Sequence, residues 1–301
     1  MKPKINLCLF NNPRQGVLDQ IWFAEALFRQ QGYEFTCTTT LRPDCLNLVI
    51  ENFVREDVSA LESFSRAFGK QVGIIMTEHI DLESGSFTFG GAPLGDREYI
   101  GNKKQRLFSL LAVTDFVFSY FTLGDLPELN SWERIVRTHR PYHLPYPGIG
   151  NVRRPAAQPD YDIIFTGTMT PRRASILRQL RKRHRLAQSE FFATEAERAA
   201  LYTRAKVAVT IPQTEGWKWV SPMRVLFGLR NGVPTVDLGQ DQTTAFGRLV
   251  LGPTDIDDAV SNYQEVFEQQ LKSYESFVRS PDNGRFPLGV FDLWAGLECR
   301  Q

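Results

Sequence analysis

The chain has 301 residues, enough for two domains of about 150 residues each or for one large α/β domain, with a core that needs no metal or disulfide staple. Hydrophobic residues make up 42% and charged residues 23%, a balance that excludes disordered, collagen-like and coiled-coil chains. Thirty-five basic residues against 34 acidic ones leave a formal net charge of +1, so a general polyanion binder is excluded, no nucleic-acid partner is expected, and any basic patch must be local.

In chain order, Ile5 to Phe10 is the first apolar β-prone run. The loop through Arg14, Gln15 and Gly16 leads into Val17 to Gln31, where Leu18, Ile21, Trp22, Ala24, Leu27 and Phe28 recur at helical spacing. Gly32 suits a helix end, and Tyr33 to Thr39 and Leu46 to Val54 read as the next two strands. A helix over Glu56 to Phe68, a strand over Gln71 to Ile80, a helix over Lys103 to Ala112 and a strand over Phe116 to Phe121 complete the first half. Apolar β-prone runs that alternate with segments of helical period make a doubly wound parallel sheet.

Between Pro145 and Asp160 there are four prolines and two glycines in sixteen positions, which excludes a helix or a central strand and suits a domain linker. The expected domains are therefore 1–148 and 149–301. The second half repeats the alternation: strand Asp162 to Thr166, helix Pro171 to Arg185, strand Glu190 to Phe192, helix Ala196 to Ala205, strand Val207 to Ile211, helix Met223 to Arg230 and strand Pro234 to Leu238. One long amphipathic helix is expected over Asp255 to Val278, and a last one over Asp292 to Glu298 that packs back on the first domain. Cys8, Cys37, Cys45 and Cys299 have no Cys-x-x-Cys spacing, and three of them fall in or beside apolar or β-prone runs, as reduced cysteines do. The first apolar run is too short for a secretory leader or a membrane span, so the expected location is cytoplasmic.

Ligands of open α/β sheets bind beyond the carboxyl ends of the strands. There, Phe165-Thr166-Gly167-Thr168-Met169-Thr170-Pro171-Arg172-Arg173 ends a strand in Gly-Thr and opens a helix with Thr170 as N-cap and Pro171 as its first residue. Amides at a helix start, the positive end of its dipole and two arginines suit a diphosphate; the same pattern also describes a plain capped helix with its arginines in water. Further on, Ser221 and Pro222 open a helix that carries Arg224 in its first turn, where a cation opposes the dipole unless an anion sits beside it. Gly167, Thr168, Arg172, Arg173, Ser221 and Arg224 are thus the candidate anion site. Thr77-Glu78-His79 ends the fourth strand, so Glu78 and His79 are candidates for a general base, although such a pair also serves structure alone. No His, Cys and Asp cluster has metal-ligand spacing, and neither a Walker loop nor a Gly-x-Ser-x-Gly elbow occurs. Between Arg172 and Arg185 seven basic residues and no acid occur, a solvated face or a surface for an anionic membrane.

Phe165, Gly167, Thr168, Pro171, Arg172 and Arg173, followed by Arg224, Gly232, Pro234 and Val236, resemble the C-terminal half of GT-B glycosyltransferases, in particular the group-1 and CgeB-like branches. Gln15-Gly16-Val17, the Phe23 to Leu27 helix and Gln31-Gly32-Tyr33 are similar to that family's glycine loop, first helix and entry to the second strand, with Arg14, Gln15 and Gly16 as acceptor or glycine-loop residues. The resemblance implies two Rossmann-like doubly wound domains facing a cleft, an acceptor on the first and a nucleotide-diphosphate sugar on the second. It further implies transfer to a glycan, lipid-linked or other hydroxyl, no essential metal or other cofactor, and a role in cell-surface glycan or polysaccharide synthesis, cytoplasmic or peripheral at the inner membrane face. Where many group-1 members carry the glutamate that holds the donor ribose, this chain has Phe227, and Trp219 stands where a second glutamate is usual. Glu215-Gly216-Trp217 resembles the family's Glu-Gly-Phe turn displaced by four residues, so Glu215 and Gly216 are candidates for the donor sugar or nucleotide. A nucleotide-sugar epimerase or hydrolase on the same fold, or an inactive nucleotide-sugar binder, is the alternative.

Overall fold

The computed structural model describes residues 2–9, 14–50, 55–69, 72–76, 116–119, 142–189, 193–212, 220–239 and 244–296. Expectations for Glu78, His79, the 103–112 helix, Glu190 to Phe192, Glu215, Gly216 and Trp219 lie outside the described residues. The chain divides into two compact units, one of Met1–Pro147 with Gly284–Gln301 and one of Gly148–Asn283. Among the described residues no helix is long and apolar enough to cross a membrane.

The first unit contains β1 (Lys4–Cys8), α1 (Leu18–Gln30), β2 (Glu34–Thr38), β3 (Leu46–Ile50), α2 (Arg55–Phe68), β4 (Val72–Met76), β5 (Phe116–Ser119) and β6 (Tyr142–His143). The strands run in the order β2-β1-β3-β4-β5-β6, and every pairing is parallel. Strands β3 and β4 are buried at every position, as parallel strands covered on both faces must be. Two buried amides interrupt the apolar run. Asn6 and Asn47 stand opposite each other in register, and the Asn6 Nδ2 donates to Asn47 Oδ1 at 2.9 Å and to the Thr40 carbonyl at 3.0 Å. The Asn47 Nδ2 donates in turn to the Arg42 carbonyl at 2.9 Å, so the pair fastens the 40–45 turn to the sheet with its own polar groups satisfied.

Helix α1 buries Ile21, Phe23, Ala24, Leu27 and Phe28. Phe28 is the hub of an aromatic cluster with Tyr33, Phe35, Phe286 and Phe291 at centroid distances from 5.5 to 6.2 Å. Phe291 belongs to α8 (Leu288–Gly296), so the chain re-enters the first unit after the second is complete. The turn back is made at Gly284, at φ +75°, where a Cβ would lie 2.7 Å from the His143 ring; only glycine fits there.

The second unit carries β7 (Tyr161–Thr166), α3 (Pro171–Leu180), β8 (Leu186–Ser189), α4 (Glu195–Tyr202), β9 (Ala205–Thr210), α5 (Pro222–Arg230), β10 (Thr235–Asp237), α6 (Ile256–Ser261) and α7 (Tyr263–Arg279). Its strands run β10-β9-β7-β8, all parallel, so the first four strands of each unit share one topology. Ile163, Phe165, Val207 and Val209 face Leu177 of α3, Ala259 of α6 and Val266 of α7. Ile164 and Ala208 face Tyr202 of α4 and Phe227 of α5 on the other side. The proline-rich segment is divided between the units: Leu144 to Pro147 are buried in the first, whereas the Arg153 amide donates to the Arg230 carbonyl at 3.0 Å and the Tyr263 hydroxyl to the Ala156 carbonyl at 2.5 Å in the second.

Two expectations about elements need correction. The helix from Pro171 ends at Leu180 and not at Arg185, because the amides of Arg183 and His184 both turn onto the Leu180 carbonyl and the Arg185 carbonyl is taken by the amides of Asp162 and Ile163 at the start of β7. The expected 255–278 helix is two helices, broken at Asn262 (φ −116°, ψ 29°), whose amide closes α6 on Asp258 while its carbonyl begins α7. Before α4 the structure describes a strand over Leu186–Ser189.

Edge strand β10 is bridged in parallel by Leu251, whose carbonyl accepts from the Asp237 amide at 2.8 Å, and is closed further by one side chain. Gln270 of α7 accepts from the Thr235 amide at 2.8 Å and donates from Nε2 to the carbonyls of Thr235 at 3.0 Å and Leu249 at 3.2 Å, completing the edge as another strand would. Gln270→Ala leaves these buried backbone groups without partners and is expected to lower stability by about 2 kcal/mol, read from the urea midpoint at unchanged m-value.

Candidate functional site at a strand switch point

In the order β10-β9-β7-β8 the crossover direction reverses between β7 and β9, and the carboxyl ends of those two strands are where an open sheet of this kind receives a ligand. Strand β7 ends at Thr166, and Gly167 follows at φ +136°. The Thr170 side chain then accepts from the Arg173 amide at 3.3 Å and Pro171 occupies the first helical turn, so α3 opens with the N-cap and proline read from the sequence.

Helix α5 approaches the same point. Arg224, half-buried in its first turn, places Nη2 2.8 Å and Cζ 3.3 Å from where a Cβ on Gly167 would stand. The guanidinium thus rests on the bare Cα of Gly167, at a φ that side chains rarely adopt, and it joins the starts of α3 and α5 at the end of β7. Ser221 occupies the N-cap position of α5 in extended conformation, but its hydroxyl makes no capping hydrogen bond; it does not close the helix start as its residue type suggests.

Arg173 is placed otherwise than the sequence reading supposed. It is 2% exposed, points inward, and donates from Nε to the Ile211 carbonyl at 2.8 Å and from Nη1 to the Thr168 carbonyl at 2.7 Å, with its guanidinium over the Phe165 ring at 5.5 Å. Burial first, and the neighbouring charge of Arg224 second, push this guanidinium down to about 9. Arg172 is half-buried on α3, Thr168 is exposed, and Met169 beside it is 40% exposed. Gly167, Thr168, Arg173 and Arg224 are therefore gathered at one point. Arg14, Gln15 and Gly16 belong to the first unit, exposed on a short 3-10 turn (Arg14–Val17) between β1 and α1.

One polar residue at these strand ends escaped the sequence reading. Asp237, 3% exposed at the end of β10, accepts from the Thr210 hydroxyl at 2.6 Å and from the Gly239 amide at 3.1 Å, tying the carboxyl ends of β9 and β10 together. Its signal was an acid ending an apolar strand. Phe227 is a core residue: 2% exposed, edge-to-face with Tyr202 at 4.9 Å, with the Arg198 guanidinium 4.1 Å from its ring centre. A side chain at this position faces the packing between sheet and helices. Among the described residues no three His, Cys, Asp or Glu side chains form a metal site.

Two arginines of the basic run after Arg172 are paired with acids distant in sequence. Arg183 pairs with Asp257, Arg185 with Asp162 at 3.3 Å, and Lys206 joins Asp162 at 2.9 Å. Burial raises the Asp162 carboxyl, but the hydrogen bonds from Arg185 and Lys206 outweigh it and hold the group well below the usual carboxylate range.

No protein-family model matches the chain. No curated protein sequence matches it either. Solved structures do. A UDP-glucosyltransferase from Polygonum tinctorium capable of glucosylating indoxyl, solved with 3,4-dichloroaniline, matches with TM-score 0.50 and 10% identity over 97% of this chain and 99% of that one. Phytolacca americana UGT2, complexed with UDP-2fluoro-glucose and pterostilbene, has TM-score 0.47 and 10% identity over 97% of this chain and 100% of that one. The likeness to the Polygonum enzyme is one of fold, and with the two parallel sheets it makes the chain's fold class α/β, Rossmann-like and GT-B-like, as expected from the sequence.

Two substitutions probe this architecture. Gly167→Ala puts a methyl group on the Arg224 guanidinium at a backbone angle that side chains rarely adopt; it is expected to cost on the order of 1–3 kcal/mol and to displace Arg224, read by thermal melts and by nucleoside diphosphate titration. Because the Asp162 pKa is depressed on folding, its contribution is present above the unfolded value of about 4 and is lost as pH falls through the folded value. The stability difference between wild type and Asp162→Asn, followed by denaturant titration, is expected to shrink steadily as pH drops below that point.

Proposed function

We propose that this protein is a glycosyltransferase of the group-1 or CgeB-like kind, moving a sugar from a nucleotide-diphosphate sugar to an acceptor hydroxyl in cell-surface glycan or polysaccharide synthesis. The observation that carries this reading is the seating of the Arg224 guanidinium on Gly167, at the joined starts of two helices beyond the β7–β9 switch point. When a sugar leaves a nucleoside diphosphate, negative charge grows on the diphosphate oxygens. A fixed guanidinium and two helix starts offer that charge oriented dipoles that need no rearrangement during the reaction. With charge supplied in this way, the transfer requires no metal.

In this reading the unit of residues 148–283 holds the donor, its diphosphate meeting Gly167, Thr168, Arg224 and the backbone at Ser221, with Arg172 beside them. Glu215 and Gly216 meet the sugar or nucleotide. The first unit holds the glycan, lipid-linked or other acceptor, with Arg14, Gln15 and Gly16 in its loop and Glu78 or His79 taking the acceptor proton. The enzyme works on the cytoplasmic side, and the exposed Arg178, Arg181 and Lys182 at the end of α3 bring it to an anionic membrane surface.

The test is a thermal-shift panel of UDP, GDP, ADP, TDP and CMP on the full chain. At least one nucleoside diphosphate is expected to stabilise the protein, by about 2.7 kcal/mol when present at a hundred times its Kd. Arg224→Ala is expected to abolish the shift, and chelation of divalent metal to leave it unchanged. A flat response to every nucleotide would refute the proposal.

A further inference from the structure

We infer that Arg173 is a positioning residue for the anion site: buried beneath it, Arg173 holds the segments leaving β7 and β9 in place and draws two backbone carbonyls inward, without itself touching the anion. This rests on the reading of the β7–β9 switch point as an anion site.

The position of Arg173 is an expensive one for a cation. It lies in the first turn of α3, where the helix dipole repels positive charge. It is 2% exposed, so the charge is removed from water, and among the described residues no carboxylate pairs with it. A second guanidinium stands beside it: Arg173 Nη1 lies 3.6 Å, and Arg224 Nη2 2.8 Å, from the same point above the Gly167 Cα. An aliphatic side chain would fill this part of the core against Phe165 at none of these costs, and buried ionic groups are commonly replaceable by apolar ones without loss of stability.

What the arginine obtains in return lies in its two acceptors. Thr168 is in the loop between β7 and α3, and Ile211 is the first residue after β9, so the two carbonyls belong to the two segments that leave the switch-point strands. One planar guanidinium bonded to both fixes the distance between those segments, which a single point charge on a flexible stem does less well. A carbonyl oxygen facing an anion repels it. With both oxygens bonded to Arg173 below, the negative ends of two peptide dipoles are turned from the side that receives the ligand, and the buried charge adds to the attraction exerted by Arg224.

The experiment is calorimetric titration of the full chain with inorganic pyrophosphate, well below the melting temperature of each variant, for wild type, Arg224→Ala, Arg173→Lys and Arg173→Gln. The expected order is wild type tightest, Arg173→Lys weaker by about threefold to tenfold, Arg173→Gln weaker by more than about tenfold, and no binding by Arg224→Ala. The partial rescue by lysine reports the retained charge, and the remaining deficit reports the lost fork. A purely structural arginine would lower the melting temperature of both position-173 variants and leave the pyrophosphate affinity of the folded protein alone. Hence wild-type affinity in folded Arg173→Lys and Arg173→Gln, with Arg224→Ala inactive in binding, overturns the positioning role and leaves the anion site standing. Failure of the wild type to bind either pyrophosphate or any nucleoside diphosphate overturns the site itself. If Arg173→Gln does not fold, Arg173→Lys decides; if neither folds, Arg173 is a fold-holding residue and the inference is overturned.

Discussion

The bare Cα of Gly167 is the constraint on which the carboxyl edge of the second unit's sheet depends. A parallel strand that ends in a helix start leaves amides and a positive dipole end at its carboxyl edge, but one such end is weak and common. What distinguishes this edge is that a second helix, α5, delivers the tip of Arg224 to within 2.8 Å of the place a side chain on Gly167 would occupy. The contact requires glycine twice over, once for the φ of +136° and once for the space. Once it is made, the direction of α5, the loop before α3 and the end of β7 are no longer independent of one another.

The rest of the unit keeps that edge rigid. Both faces of β7 and β9 are buried, one against α3, α6 and α7 and the other against α4 and α5, so the strands are packed from both sides. Gln270 closes the β10 edge with hydrogen bonds to the Thr235 amide and carbonyl, and Asp237 ties β9 to β10 at their carboxyl ends. These are side chains doing the work of backbone pairing where the sheet stops. The first unit shows the same economy: Asn6 and Asn47 satisfy each other and a turn from inside an apolar sheet.

Much of this was legible in the sequence, because strand and helix alternation is a local signal and Thr-Pro at a helix start has a local cause. The reach of Arg224 was legible too, through the mismatch of a cation with a helix start. What could not be read depends on partners far along the chain. Residues 181–185 look helical until the Arg185 carbonyl is seen bonded to the amides of Asp162 and Ile163, and the run looks uniformly basic until Asp162 and Asp257 arrive from β7 and α6. Asn262 carries no strong break signal of its own; the turn it makes is imposed by packing of α6 and α7 on the sheet. For Arg173 the sequence left a diphosphate ligand and an arginine in water as the two readings; its inward course was not legible because the two carbonyls that hold it lie in the loop before α3 and just beyond β9.

A net charge of +1 therefore hides two populations of arginine with opposite electrostatics. Arg183 and Arg185 are exposed and matched to carboxylates, pairs that contribute little to stability and whose field is largely cancelled within a few ångströms. Arg173 is buried and, among the described residues, bonded to neutral carbonyls and not to a carboxylate, and its charge stands beside that of Arg224 at the end of β7. Among the described residues, the neutralised charge lies at the surface, and the buried charge without a carboxylate lies at the point where a sheet of this topology opens.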